Sequence, residues 1–289
     1  MKKLVVPQKY DKKRLSKFIL DSFPYLSPNM FYKALRQKDI KVDGTRINKD
    51  CPIYAGSEII VYIADNLLRP DVDLNIIFED ENILIINKPS NLEVTGNDSL
   101  TTIVHHKYSN CDFLPMPCHR LDRNTNGLVL FAKNKESLNI LLDKFKNHEI
   151  EKKYLALVYG IPKVKNAKLE SYLFKDNKKS IVYISDNFKT GYNKIITSYS
   201  VLEEYDNNSA LLEVEIETGK THQIRAHLAH IGYPIIGDGK YGINSINKSF
   251  CFKFQQLQAY KLKFNFKTDA GCLNYLNGKT FSLNQKYFT

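Results

Sequence analysis

At 289 residues, with 43% hydrophobic and 25% charged side chains, the chain has the composition of a globular protein with room for a sizeable core and a smaller appended domain. Its net charge of +11 and pI near 9.2 point to a polyanionic partner, whether RNA, DNA or an anionic membrane surface, because Lys and Arg that neutralise phosphates release counterions. No apolar run approaches the length of about 18 residues that spans a bilayer, MKKLVVPQKY lacks the apolar core of a secretory signal, and five cysteines without a C-x-x-C pair support neither a disulfide framework nor a zinc site, so a cytosolic protein with no membrane attachment and reduced thiols is expected.

Residues 1–64 hold ten Lys and three Arg against five Asp and one Glu, a net +7 in under a quarter of the chain. Lys13 to Asp21 fits a first helix with Leu15, Phe18 and Ile19 on one side. Ser27-Pro28 supplies an N-cap and a first-position proline for a second helix running to about Lys38. Phe31, Ala34 and Leu35 share one face of it, while Lys33, Arg36 and Lys38 mostly point elsewhere. IKVDGTRI then alternates around Asp43-Gly44, a hairpin signal that carries Lys41 and Arg46. Ile59 to Ile63 closes the unit as a strand. Lys33, Arg36, Lys38, Lys41 and Arg46 are therefore candidate RNA contacts; a solvated basic face is the plainer alternative. Ala64 to Asp73 carries Pro70 and no period and reads as an interdomain segment. The expected organisation is a domain at 1–64, a linker at 65–73 and a second domain at 74–289.

Beyond the linker, Leu74 to Ile86 holds apolar strands around the polar Glu79 to Asn82. Asn126-Gly127 reads as a turn and Leu128 to Ala132, LVLFA, as a strand. Glu136 to His148 places Leu138, Leu141, Leu142 and Phe145 at helical spacing, the expected core face of an amphipathic helix. Stretches rich in Tyr, Val and Ile at 181–217 and 250–266 predict further strands. His222 to Ile231 reads as a helix with Ile224, Leu228 and Ile231 on one stripe, Arg225 beside it and Gly232 just past its end. Strands dominate, which predicts an α+β fold with a large, mainly antiparallel mixed sheet and packed helices, preceded by a small α/β domain.

The chemistry concentrates in His119 to Gly127, HRLDRNTNG, where Asp122 sits between Arg120 and Arg123 on a loop held by the following strand. The flanking arginines favour its ionised form, the state a nucleophile requires, and can also grip phosphate. A surface ion pair is the alternative for these residues taken alone. His222, His227 and His230 lack a further ligand at convincing spacing, so no metal is expected. GDGKYG at 237–242 satisfies G-x-G-x-x-G but has no following amphipathic helix or distant acidic residue, so its glycines are read as permitting a tight turn near the site.

HRLDRNTNGLVLFAK closely resembles the catalytic motif of the RluA-type pseudouridine synthases. Further blocks are similar and fall in the same order: IINKP at Ile85 to Pro89, KYLALVYG at Lys153 to Gly160, and TGKTHQIRAHL at Thr218 to Leu228, followed by Gly237-Asp238 and Tyr241-Gly242. The front segment resembles the S4 RNA-binding module. The resemblance covers roughly residues 74–265 and implies that Asp122 is the nucleophile, that Tyr154 packs on the target base and assists proton removal, and that Arg225 pairs with Asp122. It further implies that Arg120 enters the RNA where the target uridine leaves it, with Arg123 and His119 beside it, and that no cofactor or metal takes part. The implied substrate is structured RNA, 23S ribosomal RNA first and transfer RNA second; a monomer is the default.

Several positions depart from the family pattern: Asn91 takes the glycine place after Lys-Pro, Asn126 stands where Ser is common, and Gln256 and Gln258 stand where Arg or His would be expected in the block at 254–264. The last two bear on RNA contacts and specificity. Two other classes fit parts of the pattern: a catalytically silent RNA-binding or ribosome assembly protein, and a glycoside hydrolase acting on nucleosides. The second needs another carboxylate, and the HRLD block offers only one.

Overall fold

The computed structural model describes residues 2–23, 26, 28–63 and 74–283. The chain divides into two compact units, 1–73 and 74–289; the linker expected at 65–73 and the N-cap Ser27 lie outside the described residues.

In the first unit, helices α1 (Leu15–Ser22) and α2 (Pro28–Arg36) form where the apolar spacing places them. Leu15, Phe18 and Ile19 of α1 and Phe31, Ala34 and Leu35 of α2 are buried together with Ile40, Ile53 and Ile59. The four strands β1 (Lys2–Val5), β2 (Ile40–Val42), β3 (Thr45–Ile47) and β4 (Glu58–Val61) make an antiparallel sheet in the order β1-β4-β2-β3. Asp43 and Gly44 both have positive φ, +47° and +81°, the conformation that a two-residue hairpin needs to match strand twist. Strand β1 was not expected, because KKLV is short and half polar and acquires its order by pairing with β4.

The second unit is built on one sheet of eleven strands: β5 (Ile76–Glu79), β6 (Ile83–Lys88), β7 (Met116–Pro117), β8 (Asn126–Ala132), β9 (Ile150–Tyr159), β10 (Asn166–Asp176), β11 (Ile181–Ser185), β12 (Asn193–Tyr205), β13 (Ser209–Ile216), β14 (Leu257–Phe264) and β15 (Thr280–Ser282). Their path is β11-β10-β12-β13-β9-β14-β8-β6-β5, with β15 on β14 and β7 on β8. Every described pairing is antiparallel except that of β14 with β8. Among the described residues four α-helices accompany the sheet: α3 (Leu100–Lys107), α4 (Lys135–Lys146), α5 (Gln223–His230) and α6 (Asn244–Ser249). This is the α+β architecture with a large mixed sheet that the strand-rich sequence predicts.

Two local expectations need correction. The turn precedes Asn126-Gly127 and is centred on Arg123 and Asn124: the Thr125 amide donates to the Asp122 carbonyl at 3.1 Å, and Asn126 and Gly127 already belong to β8. Gly127 is required by a crossing strand. Its φ is +120°, and a Cβ there would lie 2.2 Å from the carbonyl oxygen of Ala259 on β14. Gly127→Ala is expected to cost roughly 2–4 kcal/mol, combining overpacking with an unfavourable backbone, measurable as a lowered denaturant midpoint of the full chain.

The second correction concerns α4. Its inward stripe runs through Ser137, Leu141 and Lys144, with Leu138 and Phe145 partly buried, while Leu142 is 46% exposed. Apolar spacing gave the helix but not the centre of its buried face, which is set by a buried ion pair. Lys144 donates to Glu149 Oε2 at 2.9 Å and to the Thr268 carbonyl at 2.8 Å. The Lys144 hydrogen bond, opposed by burial and assisted by the Lys267 and Thr268 amides, holds the Glu149 carboxyl down at about 2. A carboxylate whose folded value lies below its ordinary 4.5 contributes stability above that pH and loses it as pH falls through the lower value. Glu149→Gln is therefore expected to flatten the drop in thermal midpoint between about pH 4.5 and pH 2, relative to the native protein.

Candidate active site

Asp122 lies on the loop from β7 into β8, and that loop is fastened by the segment that follows β6. The Lys88 ammonium is fully buried and donates to the carbonyls of Pro89 (2.8 Å), Leu92 (2.7 Å) and Arg123 (3.1 Å). Burial pushes Lys88 down to about 7, and the nearby Asp122 charge pulls it back up. Three carbonyl acceptors match the three N–H bonds of an ammonium, so the charged form fits this cage. Ser90 Oγ donates to the Asn124 carbonyl at 3.2 Å, and Gln255 Nε2 donates to Thr125 Oγ1 at 2.7 Å. Asn91, at the family's glycine place, keeps the left-handed conformation with φ +64° and accepts from Arg123 Nε at 3.2 Å.

Asp122 opens onto a cavity of about 240 Å³ whose walls include Arg120, Lys152, Tyr154, His222 and Arg225. The row Gly127, Ala259, Tyr154 runs across the adjacent strands β8, β14 and β9. With strands spaced about 4.8 Å apart, that register brings the start of β8 and the tyrosine of β9 to one end of the same sheet region. Tyr154 is buried, and its hydroxyl is held well above the ordinary phenol range by burial first and the Asp122 charge second.

Arg225 leaves α5 toward the carboxylate as the helical pattern anticipates. Its Nη1 donates to Asp122 Oδ2 at 2.9 Å. The fork of the guanidinium is spent on Asp238: Nε donates to Oδ2 at 2.7 Å and Nη2 to Oδ1 at 2.9 Å. Burial alone would pull the Arg225 guanidinium down, but its bonds to Asp238 and Asp122 outweigh that and push it up. Asp238 is fully buried and also accepts from the amides of Lys240 (2.8 Å) and Tyr241 (3.2 Å). Those bonds overcome the effect of burial and hold its carboxyl low. One arginine thus connects a deep structural carboxylate to a half-buried one facing the cavity.

The remaining candidates separate. Arg120 is exposed on the cavity wall. Arg123 is exposed and turned to Asn91, so the charge touching Asp122 comes from Arg225 and not from the sequence neighbours. His119 faces inward: its Nε2 accepts the Leu130 amide at 3.1 Å, its ring lies 5.0 Å from that of Phe145, and burial pushes it down to about 3. A neutral ring bound to the sheet supports the loop and does not offer a cation to phosphate. The three C-terminal histidines go to different partners: His222 Nδ1 lies 2.9 Å from the Tyr241 hydroxyl, His227 lies between Thr197 and Ser171, and His230 bonds Asp186 at 2.8 Å. Among the described residues no group of three or more His, Cys, Asp or Glu side chains is placed to hold a metal.

Asp238, His222, Lys88 and Lys152 were not assigned to the site from sequence. Asp238 carried a signal, an acidic residue inside a glycine turn thirteen positions after Arg225. Lys152 carried one too, as the first of two lysines before Tyr154; it lines the cavity, and burial pulls it down. In the first unit, Lys33, Arg36, Lys38 and Arg46 are exposed. Arg46 and Lys41 both lie over the Tyr62 ring, at 4.9 and 5.5 Å from its centroid, and Arg46 also donates to the Lys38 carbonyl.

A single carboxylate held by an arginine, beside a buried tyrosine and under a second cation, suits nucleophilic or proton-transfer work on a phosphate-bearing substrate. The family model described as RNA pseudouridylate synthase matches residues 82–230, a span that contains Asp122, Tyr154 and Arg225. Ribosomal large subunit pseudouridine synthase C of Rickettsia bellii is 35% identical over 251 residues, 79% of this chain and 82% of that protein. Ribosomal large subunit pseudouridine synthase D of Buchnera aphidicola subsp. Schizaphis graminum is 32% identical over 277 residues, 91% of this chain and 85% of that protein. Among solved structures, human RNA pseudouridylate synthase domain containing 1 shares the fold with a TM-score of 0.58 at 22% identity, over 74% of this chain and 91% of that one. With the family's fold and motif blocks assembled around one cavity, the chain belongs to the RNA pseudouridine synthases of the RluA type.

Proposed function

We propose that this enzyme isomerises uridines of large-subunit ribosomal RNA to pseudouridine, with Asp122 as nucleophile on a nucleotide flipped out of its helix. The reading is carried by one observation, the 2.9 Å bond from Arg225 Nη1 to Asp122 Oδ2 in a cavity that also presents Tyr154. Isomerisation breaks the bond from ribose C1′ to uracil N1 and forms one from C1′ to C5; the C5 hydrogen leaves and N1 gains a proton. Extruding the base costs a few kcal/mol, offset by stacking and phosphate contacts. Tyr154 supplies the stacking surface and Arg225 holds the carboxylate in line. Arg120, exposed at the wall, is suited to the RNA that the uridine leaves. The names of the relatives favour ribosomal over transfer RNA.

Purified protein incubated with protein-free 23S rRNA and, separately, with bulk transfer RNA, each tritiated at uracil C5, tests this reading. Tritium release from the ribosomal RNA alone is expected. Release from transfer RNA alone would move the substrate class, and salt-dependent binding without release from either would favour an assembly protein. We further propose that the first unit is an S4-like RNA-binding module that uses Lys33, Arg36, Lys38, Lys41 and Arg46. Replacing Lys41 and Arg46 together by Ala is expected to weaken binding and to lower the slope of log affinity against log salt by about 1–2, one counterion per lost phosphate contact.

A further inference from the structure

His222 does nothing in the scheme above, yet its placement is costly and specific. It precedes α5 in the left-handed conformation, φ +53° and ψ +18°, which non-glycine residues adopt at a cost of order 1 kcal/mol. Its ring is oriented from behind. The Tyr241 hydroxyl oxygen accepts the Val182 amide at 2.9 Å and lies 2.9 Å from His222 Nδ1. With the phenol donating to Nδ1, the imidazole hydrogen sits on Nε2, the nitrogen turned toward Asp122. Burial, only partly opposed by the Asp122 charge and reinforced by Arg225 and Lys240, pushes His222 down to about 4, so the ring is neutral and its single N–H is Nε2–H.

That nitrogen faces Asp122 Oδ2 across 4.0 Å, too far for a direct bond and suited to an atom between them. A hydroxyl oxygen about 2.8 Å from each would see them at an angle of about 90°, within range for one accepted and one donated bond. A carbonyl there would turn lone pairs on the carboxylate, and an amine would turn hydrogens on the imidazole. Among the groups of an RNA chain, only a hydroxyl is donor and acceptor at one atom. Inside an RNA strand the 3′ and 5′ oxygens of ribose are esterified, which leaves the 2′-hydroxyl.

We propose that His222 and Asp122 together grip the ribose 2′-hydroxyl of the target nucleotide, with Tyr241 as the positioning residue that fixes the His222 tautomer. The inference rests on the reading that this cavity takes the target uridine. The grip places ribose against the carboxylate and makes the site read the group that tells RNA from DNA. Arg225 already occupies one lone pair of Oδ2, the hydroxyl takes the other, and Oδ1, which makes no hydrogen bond among the described residues, stays available.

The test is a short RNA spanning the uridine mapped by tritium release from rRNA, made with either uridine or 2′-deoxyuridine, tritiated at C5, at that one position. Native enzyme is expected to lose roughly 10- to 100-fold in kcat/KM on the 2′-deoxy substrate, the range for a hydrogen bond involving a charged group. His222→Gly is expected to be slower on both and to discriminate several-fold less than the native enzyme, since the bond to Asp122 remains but is no longer oriented from the other side. Glycine accepts φ +53° without strain, and unchanged circular dichroism and RNA affinity verify that the variant is folded. Tyr241→Phe, which keeps the ring and removes the hydroxyl, is expected to show intermediate discrimination. If His222→Gly retains the native discrimination, or if the native enzyme does not discriminate, the proposal is overturned and a water molecule is the better occupant of the gap. Absence of release by the native enzyme from the all-ribose RNA would instead overturn the reading of the cavity itself, and the inference with it.

Discussion

Asp122→Asn is expected to bring tritium release from C5-labelled rRNA down to background, a loss of at least about 10³-fold, while RNA binding stays within a few-fold of the native protein. The amide keeps the shape of the side chain and can still accept one hydrogen bond from Arg225 Nη1 at the observed 2.9 Å position. What it loses is the negative charge, and with it the ability to attack a carbon or remove a proton. Binding is spared because the cationic wall, Arg120, Lys152 and Arg225, is untouched. Residual turnover above about 1% of native would count against a nucleophilic or basic role and would leave Asp122 as an electrostatic support. A variant that also lost RNA affinity would point to a folding defect in the loop, which thermal unfolding would register.

The second large effect is expected at Asp238. This carboxylate is fully buried and holds Arg225, itself only 6% exposed, by two hydrogen bonds. Asp238→Asn removes the charge that compensates the guanidinium, leaving a buried cation with one remaining partner, and such breaks cost about 3–5 kcal/mol. Activity is expected to fall at least about 100-fold as well, because Arg225 is no longer located opposite Asp122. Replacing the pair together, Arg225→Met with Asp238→Leu, separates the two effects: stability should recover most of the loss, since apolar replacements of a buried ion pair are often neutral, and activity should not. An Asp238→Asn protein that unfolds at the native denaturant concentration would show that the pair does not hold the site.

These two residues also show what a sequence can and cannot disclose here. Asp122 and Arg225 were legible because each sits in a block of recognisable residues, although they meet across 103 positions. Asp238 was read only as part of a glycine turn, because its role depends on facing an arginine whose direction the helical pattern gives but whose second partner it does not. Leu142 was misplaced for a related reason: spacing shows that a helix has an apolar side, and the buried Lys144 and Glu149 pair then decides which residues lie at its centre. Asn126-Gly127 is an ordinary hairpin signal until the backbone of Ala259 crosses within 2.2 Å of where a Cβ would sit, and no local rule reports a strand 130 positions away. His222 carried no signal of its own, since left-handed backbone at histidine and a tyrosine behind it are properties of the folded site.

The parallel pairing of β14 with β8 has a consequence for the order in which the enzyme is made. Strand β14 lies between β9 and β8, so the middle of the large sheet is filled by a segment synthesised about a hundred residues after both of its neighbours. Until residue 264 emerges, β8 and β9 have no strand to join them, and Gly127 and Tyr154 have no Ala259 between them. Long-range pairings of this kind form slowly, and exposed strand edges are where chains associate wrongly. The first unit, whose described strands and helices lie between Lys2 and Val61, can fold long before. Nascent chains therefore acquire an ordered basic unit first and a closed catalytic sheet last, and a product truncated before β14 would keep the one and lack the other.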